Sequence, residues 1–221
     1  MKIGIDYDDV LVDTFPSFID FHNHRHGTNF RIEDITSYFI WEVGIGRTKE
    51  EAINFFREFY DSLEFDEMPL VEGAREGVLE LSRLSGRFVE VVTSRPLEFR
   101  VKTIGLIRRR LSDAHLTLHY SSDFHNNANG MKAEICQALE LDYYAEDCFA
   151  YARDIAQRGI RVLLRRRPWN ENEWRKLRAE KESKNGNGAK YSRGGIIPIK
   201  NWQEILDEIK NVNGRSKNGV S

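Results

Sequence analysis

The stretch Ile3-Gly-Ile-Asp-Tyr-Asp-Asp-Val-Leu-Val-Asp-Thr14 reads as an apolar strand that delivers Asp6 and Asp8, two residues apart, at its C-terminal end. Side chains at i and i+2 of an extended backbone share one side of the chain, so Asp6 and Asp8 face a common region. Carboxylates crowded there repel one another and resist losing water, and the fold gains nothing from them. A hard cation reverses the sign of that argument, because one carboxylate can then ligate the metal while the other handles a proton.

Three later segments carry matching chemistry. Phe88-Val-Glu-Val-Val92 is a second β-rich run, and it ends in Thr93-Ser94-Arg95-Pro96, small hydroxyls followed by a cation and a chain breaker. Lys132 stands at the start of an apolar-periodic helix (Ile135, Leu139), behind the polar, Gly-containing stretch Asn126 to Gly130. Tyr143-Tyr144-Ala145 leads directly into a second acidic pair, Glu146-Asp147. Each part answers a need of phosphoryl transfer. Attack by a carboxylate on an anionic ester requires cations, which Mg²⁺ and Lys132 would supply. Hydroxyls such as those of Thr93 and Ser94, with backbone N–H groups at helix starts, can hold the equatorial phosphate oxygens. The leaving alkoxide needs a proton, and Asp8 is placed to give it.

In this order the segments resemble the four signature motifs of the haloacid dehalogenase superfamily of phosphohydrolases: Asp6-Tyr7-Asp8, Val91-Val92-Thr93, Lys132, and Glu146-Asp147. The resemblance spans nearly the whole chain. It implies Asp6 as the nucleophile that becomes an aspartyl phosphate, and Asp8 as the acid that protonates the leaving group and later activates water. It further implies Mg²⁺ held by Asp6, the backbone carbonyl of Asp8 and Asp147, with Glu146 as a water-mediated partner. One position departs: the residue after the second motif I acid is often Gly in the superfamily, and here it is Asp9, expected to be solvated or to cap a turn. A narrower similarity to the 5′(3′)-deoxyribonucleotidase-like branch comes from Asp34-Ile-Thr-Ser-Tyr38, the Thr93 to Pro96 turn, and Gly159 to Leu164 followed by Pro168-Trp169-Asn170. That branch implies (deoxy)nucleoside monophosphates as substrates; a sugar phosphate, another small phosphometabolite or a nucleic-acid 3′-end is the alternative. A phosphorylatable or inactive binding module is the non-enzyme alternative.

About eighty residues separate the first two motifs, more than a crossover helix needs. Phe15 to Arg25 and Lys49 to Leu63 carry apolar residues at helical spacing, so residues 15 to 68 are expected to form a small helical cap. Residues 1–14 and 69–212 would then be a three-layer, Rossmann-like α/β core around a parallel sheet, with ligands at the strand C-termini. Within it, Gly73 to Leu84 and Leu97 to Leu111 read as helices, Leu116 to Tyr120, Ile160 to Leu164 and Ile196 to Ile199 as strands, and Trp202 to Ile209 as a closing helix. Residues 184–195 read as a flexible loop and 213–221 as a disordered tail. In the cap, Tyr38, Phe39 and Trp41 offer aromatic faces that could stack a base, with Arg95 a second candidate for specificity.

At 221 residues and 40% hydrophobic, the chain can bury one α/β core plus an accessory unit, and no stretch approaches a membrane span. No signal segment precedes the first strand and the cysteines are Cys136 and Cys148, so reduced thiols and a cytoplasmic location are expected. A net charge of −2 argues against a general nucleic-acid binder, and the partner that the resemblance implies is a small-molecule phosphomonoester; no oligomeric state is specified. Arg165 to Arg167 and the Arg175 to Lys184 run are basic, with a solvated face as the expected role. His22, His24 and His26 read as polar residues on the cap surface.

Overall fold

A computed structural model describes residues 1–86, 88–122, 130–183 and 195–217, with backbone alone for 180–183 and 212–217. The expected loop, apart from Gly195, and the last four residues of the expected tail lie outside the described residues, as do 126–129 of the polar stretch before Lys132.

The chain runs β1 (Ile3–Ile5), α1 (Thr14–His26), α2 (Lys49–Tyr60), α3 (Leu63–Glu67), α4 (Ala74–Ser85), β2 (Val89–Thr93), α5 (Arg100–Arg110) and β3 (Leu116–Tyr120). It continues through α6 (Met131–Ala138), β4 (Tyr143–Glu146), α7 (Phe149–Gln157), β5 (Arg161–Arg165), α8 (Glu171–Ser183), β6 (Ile196–Ile199) and α9 (Trp202–Lys217). Among the described residues the strands form one parallel sheet in the order β3-β2-β1-β4-β5-β6. This is the doubly wound order, in which the connections leave β1 in opposite directions and open a crevice at its C-terminal end. Ile5 of β1 sits beside Val91 on one side and Ala145 on the other, which brings the three motif-bearing strand ends to that crevice. Central strands buried on both faces read as continuous apolar runs, as β1 and β4 do; Pro198 lies on β6, at the sheet edge where a missing N–H is tolerated.

The helical insertion after β1 packs its apolar stripes on the same core. Phe18 of α1 stacks on Phe56 of α2 at 4.2 Å between centroids, and Phe59 and Phe65 close the cluster edge-on at 5.5 Å. What was expected as one helix from Lys49 to Leu63 breaks after Tyr60, because Ser62 starts a new helix by accepting the Phe65 N–H at 3.2 Å. Three side chains of α5 hold the insertion from the core side: Lys102 donates to the Tyr60 carbonyl, Arg109 to that of Asp66 and Arg110 to that of Glu67. These are carbonyls in the final turns of α2 and α3, where helices leave acceptors unpaired.

Two expectations need correction. The closing helix extends to Lys217, so residues 213–217 of the expected tail are helical; once a helix is propagating, a further turn costs little even through Asn and Gly. Arg165 and Arg167 do not form a solvated face but turn inward beneath the loop after β1, whereas Arg175, Lys176 and Arg178 are exposed on α8 as expected. No helix among the described residues is long and apolar enough to cross a membrane.

Candidate active site

The loop after β1 is fixed from several directions. The Tyr7 carbonyl accepts the N–H groups of Leu11 and Val12, the Leu11 carbonyl accepts that of Val71, and the Trp202 indole donates to the Val10 carbonyl at 2.9 Å. That indole lies against Gly77 of α4, where a Cβ would stand 2.1 Å from the ring, so only glycine admits it. Asp6 extends the sheet by one rung, its N–H donating to the Ala145 carbonyl at 2.8 Å, and its side chain therefore points into the crevice.

Asp6 meets its neighbours there. Its Oδ2 is 2.9 Å from the Lys132 ammonium, and its Oδ1 accepts the Tyr7 N–H at 2.7 Å. Lys132, fully buried at the start of α6, also donates to Glu146 Oε2 at 2.7 Å and lies over the ring of Tyr151. Glu146 Oε1 accepts the N–H groups of Asp147 and Cys148, so both its oxygens are engaged in holding Lys132 and the turn after β4. Asp147 is held by Trp169, whose indole donates to Oδ2 at 2.8 Å, and by Asn170, whose amide donates to its carbonyl. Oxygens of Asp6, Glu146 and Asp147 all lie within 4.8 Å of one another.

Three buried carboxylates against one ammonium leave an excess of negative charge. Burial, then the neighbouring Glu146, pushes the Asp6 carboxyl well above its usual range despite Lys132; burial, then Asp9 and Asp6, does the same to Asp147. Burial lifts Glu146 to about 6. A divalent cation would neutralise that excess, and an all-oxygen donor set of Asp6 and Asp147 suits a hard ion such as Mg²⁺. The two thiols, Cys136 and Cys148, are buried, free and pushed to the inert side of their range by burial.

Asp8 has its own set of partners. Arg95 grips it through Nη2 at 2.7 Å and Nε at 3.0 Å, and the Thr14 hydroxyl donates to the same carboxylate at 2.6 Å. Arg95, expected to face substrate, is only 1% exposed and turned onto Asp8, its guanidinium covered by Tyr7 and Phe65. Thr93 ends β2 fully buried, with its hydroxyl 3.5 Å from Asp8 and accepting the Arg95 N–H; Ser94 beside it is buried as well.

Asp9 is neither solvated nor idle. It adopts φ +53°, the left-handed region that favours Gly, which accounts for the superfamily's usual residue there. Its side chain is buried, caps α1 by accepting the Phe15 N–H at 3.0 Å, and faces Arg167 at 3.6 Å, while Arg165 donates to its carbonyl. Burial nevertheless lifts its carboxyl to about 8.

Of the aromatic trio, Tyr38 approaches the acids: it touches Phe15 and Tyr151, and the charges of Asp147 and Asp6 act on its hydroxyl. Trp41 is half-buried and packs on Phe39, with the Lys49 ammonium 5.9 Å over its ring. The histidines are not all at the surface: His22 is buried, bonded to Thr28 and in contact with His26, because α1 turns that face onto Phe55. Thr14, Trp169, Asn170 and Arg167 also hold the site, although sequence patterns had not assigned them to it. Thr14 closes the acid-rich stretch that starts at Ile3, and Trp169-Asn170 falls in a segment that resembles the nucleotidase branch, so both carried a signal.

The chain is similar to several known proteins. An Oceanobacillus iheyensis protein named "Putative nucleotidase OB0422" is 25% identical over 179 residues, covering 78% of this chain and 90% of that protein. Among solved structures the chain is similar to a haloacid dehalogenase-like hydrolase, SP0104 of Streptococcus pneumoniae, with a TM-score of 0.60 and 14% identity over 94% of this chain and 97% of that one. It is also similar to the "putative HAD-hydrolase YfnB" of Bacillus subtilis, solved bound to magnesium, with a TM-score of 0.56 and 9% identity over 95% and 98% of the two chains. The model of one family matches residues 1–136, a stretch that contains Asp6, Asp8, Thr93 and Lys132. The chain therefore belongs to the family described as 5′ nucleotidase, deoxy (pyrimidine), cytosolic type C protein.

Proposed function

We propose that the protein is a Mg²⁺-dependent phosphomonoester hydrolase that works through an aspartyl phosphate on Asp6, with (deoxy)nucleoside monophosphates as its substrates. The observation that carries this reading is the placement of Asp6 just past the C-terminal end of β1, 2.9 Å from a buried ammonium and with oxygens of Glu146 and Asp147 within 4.8 Å. The nucleotide part rests on the family match.

Asp6 Oδ1 or Oδ2 attacks phosphorus, and the ester P–O bond breaks as Asp8 hands a proton to the departing oxygen. Lys132 and the hydroxyls of Thr93 and Ser94 offset charge on the phosphoryl oxygens. The Asp8 carboxylate then takes a proton from the water that attacks the aspartyl phosphate, which frees phosphate and restores Asp6. Asp6 and Asp147 side chains and the Asp8 carbonyl would hold Mg²⁺, which when bound supplies the positive charge that lets two anions meet. Glu146 acts through Lys132 and the turn it anchors.

Activity is expected to vanish in EDTA and return with Mg²⁺, and Asp147→Ala should raise the Mg²⁺ concentration needed. Ca²⁺ should inhibit, since it accepts a looser, higher-coordinate geometry. A readout independent of turnover is thermal stability, which Mg²⁺ should raise in the wild type and much less in Asp147→Ala. Full activity in EDTA would remove the metal from the scheme.

The substrate class is tested with a phosphate-release screen over nucleoside 5′- and 3′-monophosphates, sugar phosphates and 3′-phosphorylated oligonucleotides. Stacking a base on the exposed part of Trp41 would contribute about 1–3 kcal/mol. Trp41→Ala should therefore lower kcat/KM for nucleotides about tenfold or more and leave para-nitrophenyl phosphate nearly unaffected. Equal losses on both would mean that Trp41 only holds the insertion together, and no nucleotide turnover would favour the small-metabolite alternative.

A further inference from the structure

We propose that Arg95 is a positioning residue that fixes which oxygen of Asp8 carries the proton, and that the helical insertion takes part in holding it there. This rests on the role given to Asp8 above. The two oxygens of Asp8 are not equivalent. Oδ1 accepts from Arg95 Nη2 at 2.7 Å, from Arg95 Nε at 3.0 Å and from the Thr14 hydroxyl at 2.6 Å. Oδ2 shares the Nε contact, at 3.0 Å, and otherwise accepts a single long bond from the Thr93 hydroxyl, at 3.5 Å. An oxygen that already accepts three N–H or O–H groups has no lone pair left for a proton, so in the acid form that the proposed role requires, Oδ2 is the oxygen open to the proton. When Oδ2 gives that proton to the leaving oxygen, the resulting carboxylate is met at once by a charge-assisted fork that needs no reorganisation.

Arg95 is itself held from both sides. Its Nη1 donates to Thr103 of α5 at 3.3 Å and its Nη2 to the Thr14 hydroxyl at 3.3 Å. The guanidinium carbon stands 4.2 Å from the Tyr7 ring centroid on the core side, and 4.7 Å from Phe65 and 5.7 Å from Tyr60, both in the insertion. The aromatic faces offset the loss of water around a buried guanidinium and set its plane. Arg95 has no exposure through which to meet a substrate, yet it spans from the acid to the insertion. The insertion is in turn anchored on α5 by Lys102, Arg109 and Arg110. The seating of α3 is thereby linked to the orientation of the acid.

The test is the dependence on the leaving group. Benzyl phosphate expels a strongly basic alkoxide and needs the proton, whereas para-nitrophenyl phosphate expels an anion stable without one. Arg95→Met keeps the volume, and Asp8 retains enough exposure for water to replace the fork. It should lower kcat/KM about 100-fold on benzyl phosphate and less than about threefold on para-nitrophenyl phosphate, the range expected for a misplaced general acid. Arg95→Lys, which offers a point charge rather than a fork, should fall between, and Phe65→Leu should give a severalfold loss with the same bias. Asp8→Asn is the reference. If Asp8→Asn shows the bias and the Arg95 and Phe65 variants lose both esters equally, or lose neither, the proposal is overturned while the role of Asp8 stands. If Asp8→Asn shows no bias, the role of Asp8 is overturned and the proposal with it. Should Arg95→Met fail to fold, Arg95→Lys and Phe65→Leu decide by the same comparison.

Discussion

Asp6→Asn is expected to lose at least about 10⁴-fold in kcat while folding as well as the wild type or better, because an amide fills the carboxylate's volume but cannot form an acyl phosphate. Acid quenching during turnover of a phosphate-labelled ester should leave label on the wild-type chain, sensitive to hydroxylamine, and none on the variant. The stability half of the expectation follows from electrostatics. In metal-free solution burial and Glu146 hold the Asp6 carboxyl above its usual range, so the folded protein binds that proton more tightly than the unfolded chain does. Stability then falls as pH rises from the ordinary carboxylate range through the raised one. Asn carries no proton to lose, so the melting temperature of Asp6→Asn in EDTA should match the wild type at low pH and exceed it at neutral pH. Lys132 keeps Glu146 as a partner at 2.7 Å, so the change leaves no buried ammonium unpaired. Retention of more than about a tenth of the wild-type rate would exclude a covalent path through Asp6.

Most of the candidate site groups were legible because they sit at strand ends, where an apolar run stops at an acid or a hydroxyl and the sheet order brings the ends together, while Lys132 marks the start of α6. Asp6, Thr93, Lys132 and Glu146-Asp147 needed only local patterns to be singled out. What holds them in place was not local. Arg95 meets Asp8 across 87 residues, Trp169 meets Asp147 across 22, and Arg165 meets the Asp9 carbonyl across 156. No periodicity announces such pairs, and a run of arginines reads as solvated until a partner is seen. Asp9 shows the limit from the other side: an acid next to another acid looks like surface, and the backbone at φ +53° and the cap on Phe15 explain why it is inside. Some of the missed detail did carry a local mark. Ser62 before Leu-Glu-Phe is an N-cap signature, and Tyr151, Ala152, Ile155 and Ala156 trace the buried stripe of α7, which was not singled out in advance.

Lys132→Met should damage activity and stability together, where Asp6→Asn costs activity alone. Burial alone would lower the lysine's proton affinity, but Asp6 and Glu146 raise it well above the ordinary value, so the ammonium is charged and its removal leaves buried carboxylates without their counter-ion. Removing one partner from a buried ion pair costs about 3–5 kcal/mol, because the remaining charge stays desolvated. At this chain length that corresponds to a fall in melting temperature on the order of 10 °C. The loss of one preorganised donor to the phosphoryl oxygens should lower kcat by a further 10²–10³-fold, roughly as for an oxyanion donor. Two comparisons separate the electrostatic account from simple loss of packing. Glu146, lifted to about 6 by burial even with Lys132 present, will be lifted further without it, so lowering the pH from 8 to 6 should recover more stability in the variant than in the wild type. The double variant Lys132→Met with Glu146→Gln should be more stable than Lys132→Met alone, since the glutamine neutralises the charge that the missing ammonium had balanced. A double variant no more stable than the single one would mean that the balance between Lys132 and Glu146 is not what the core requires of the lysine, leaving its contact with the Tyr151 ring and its packing as the cause.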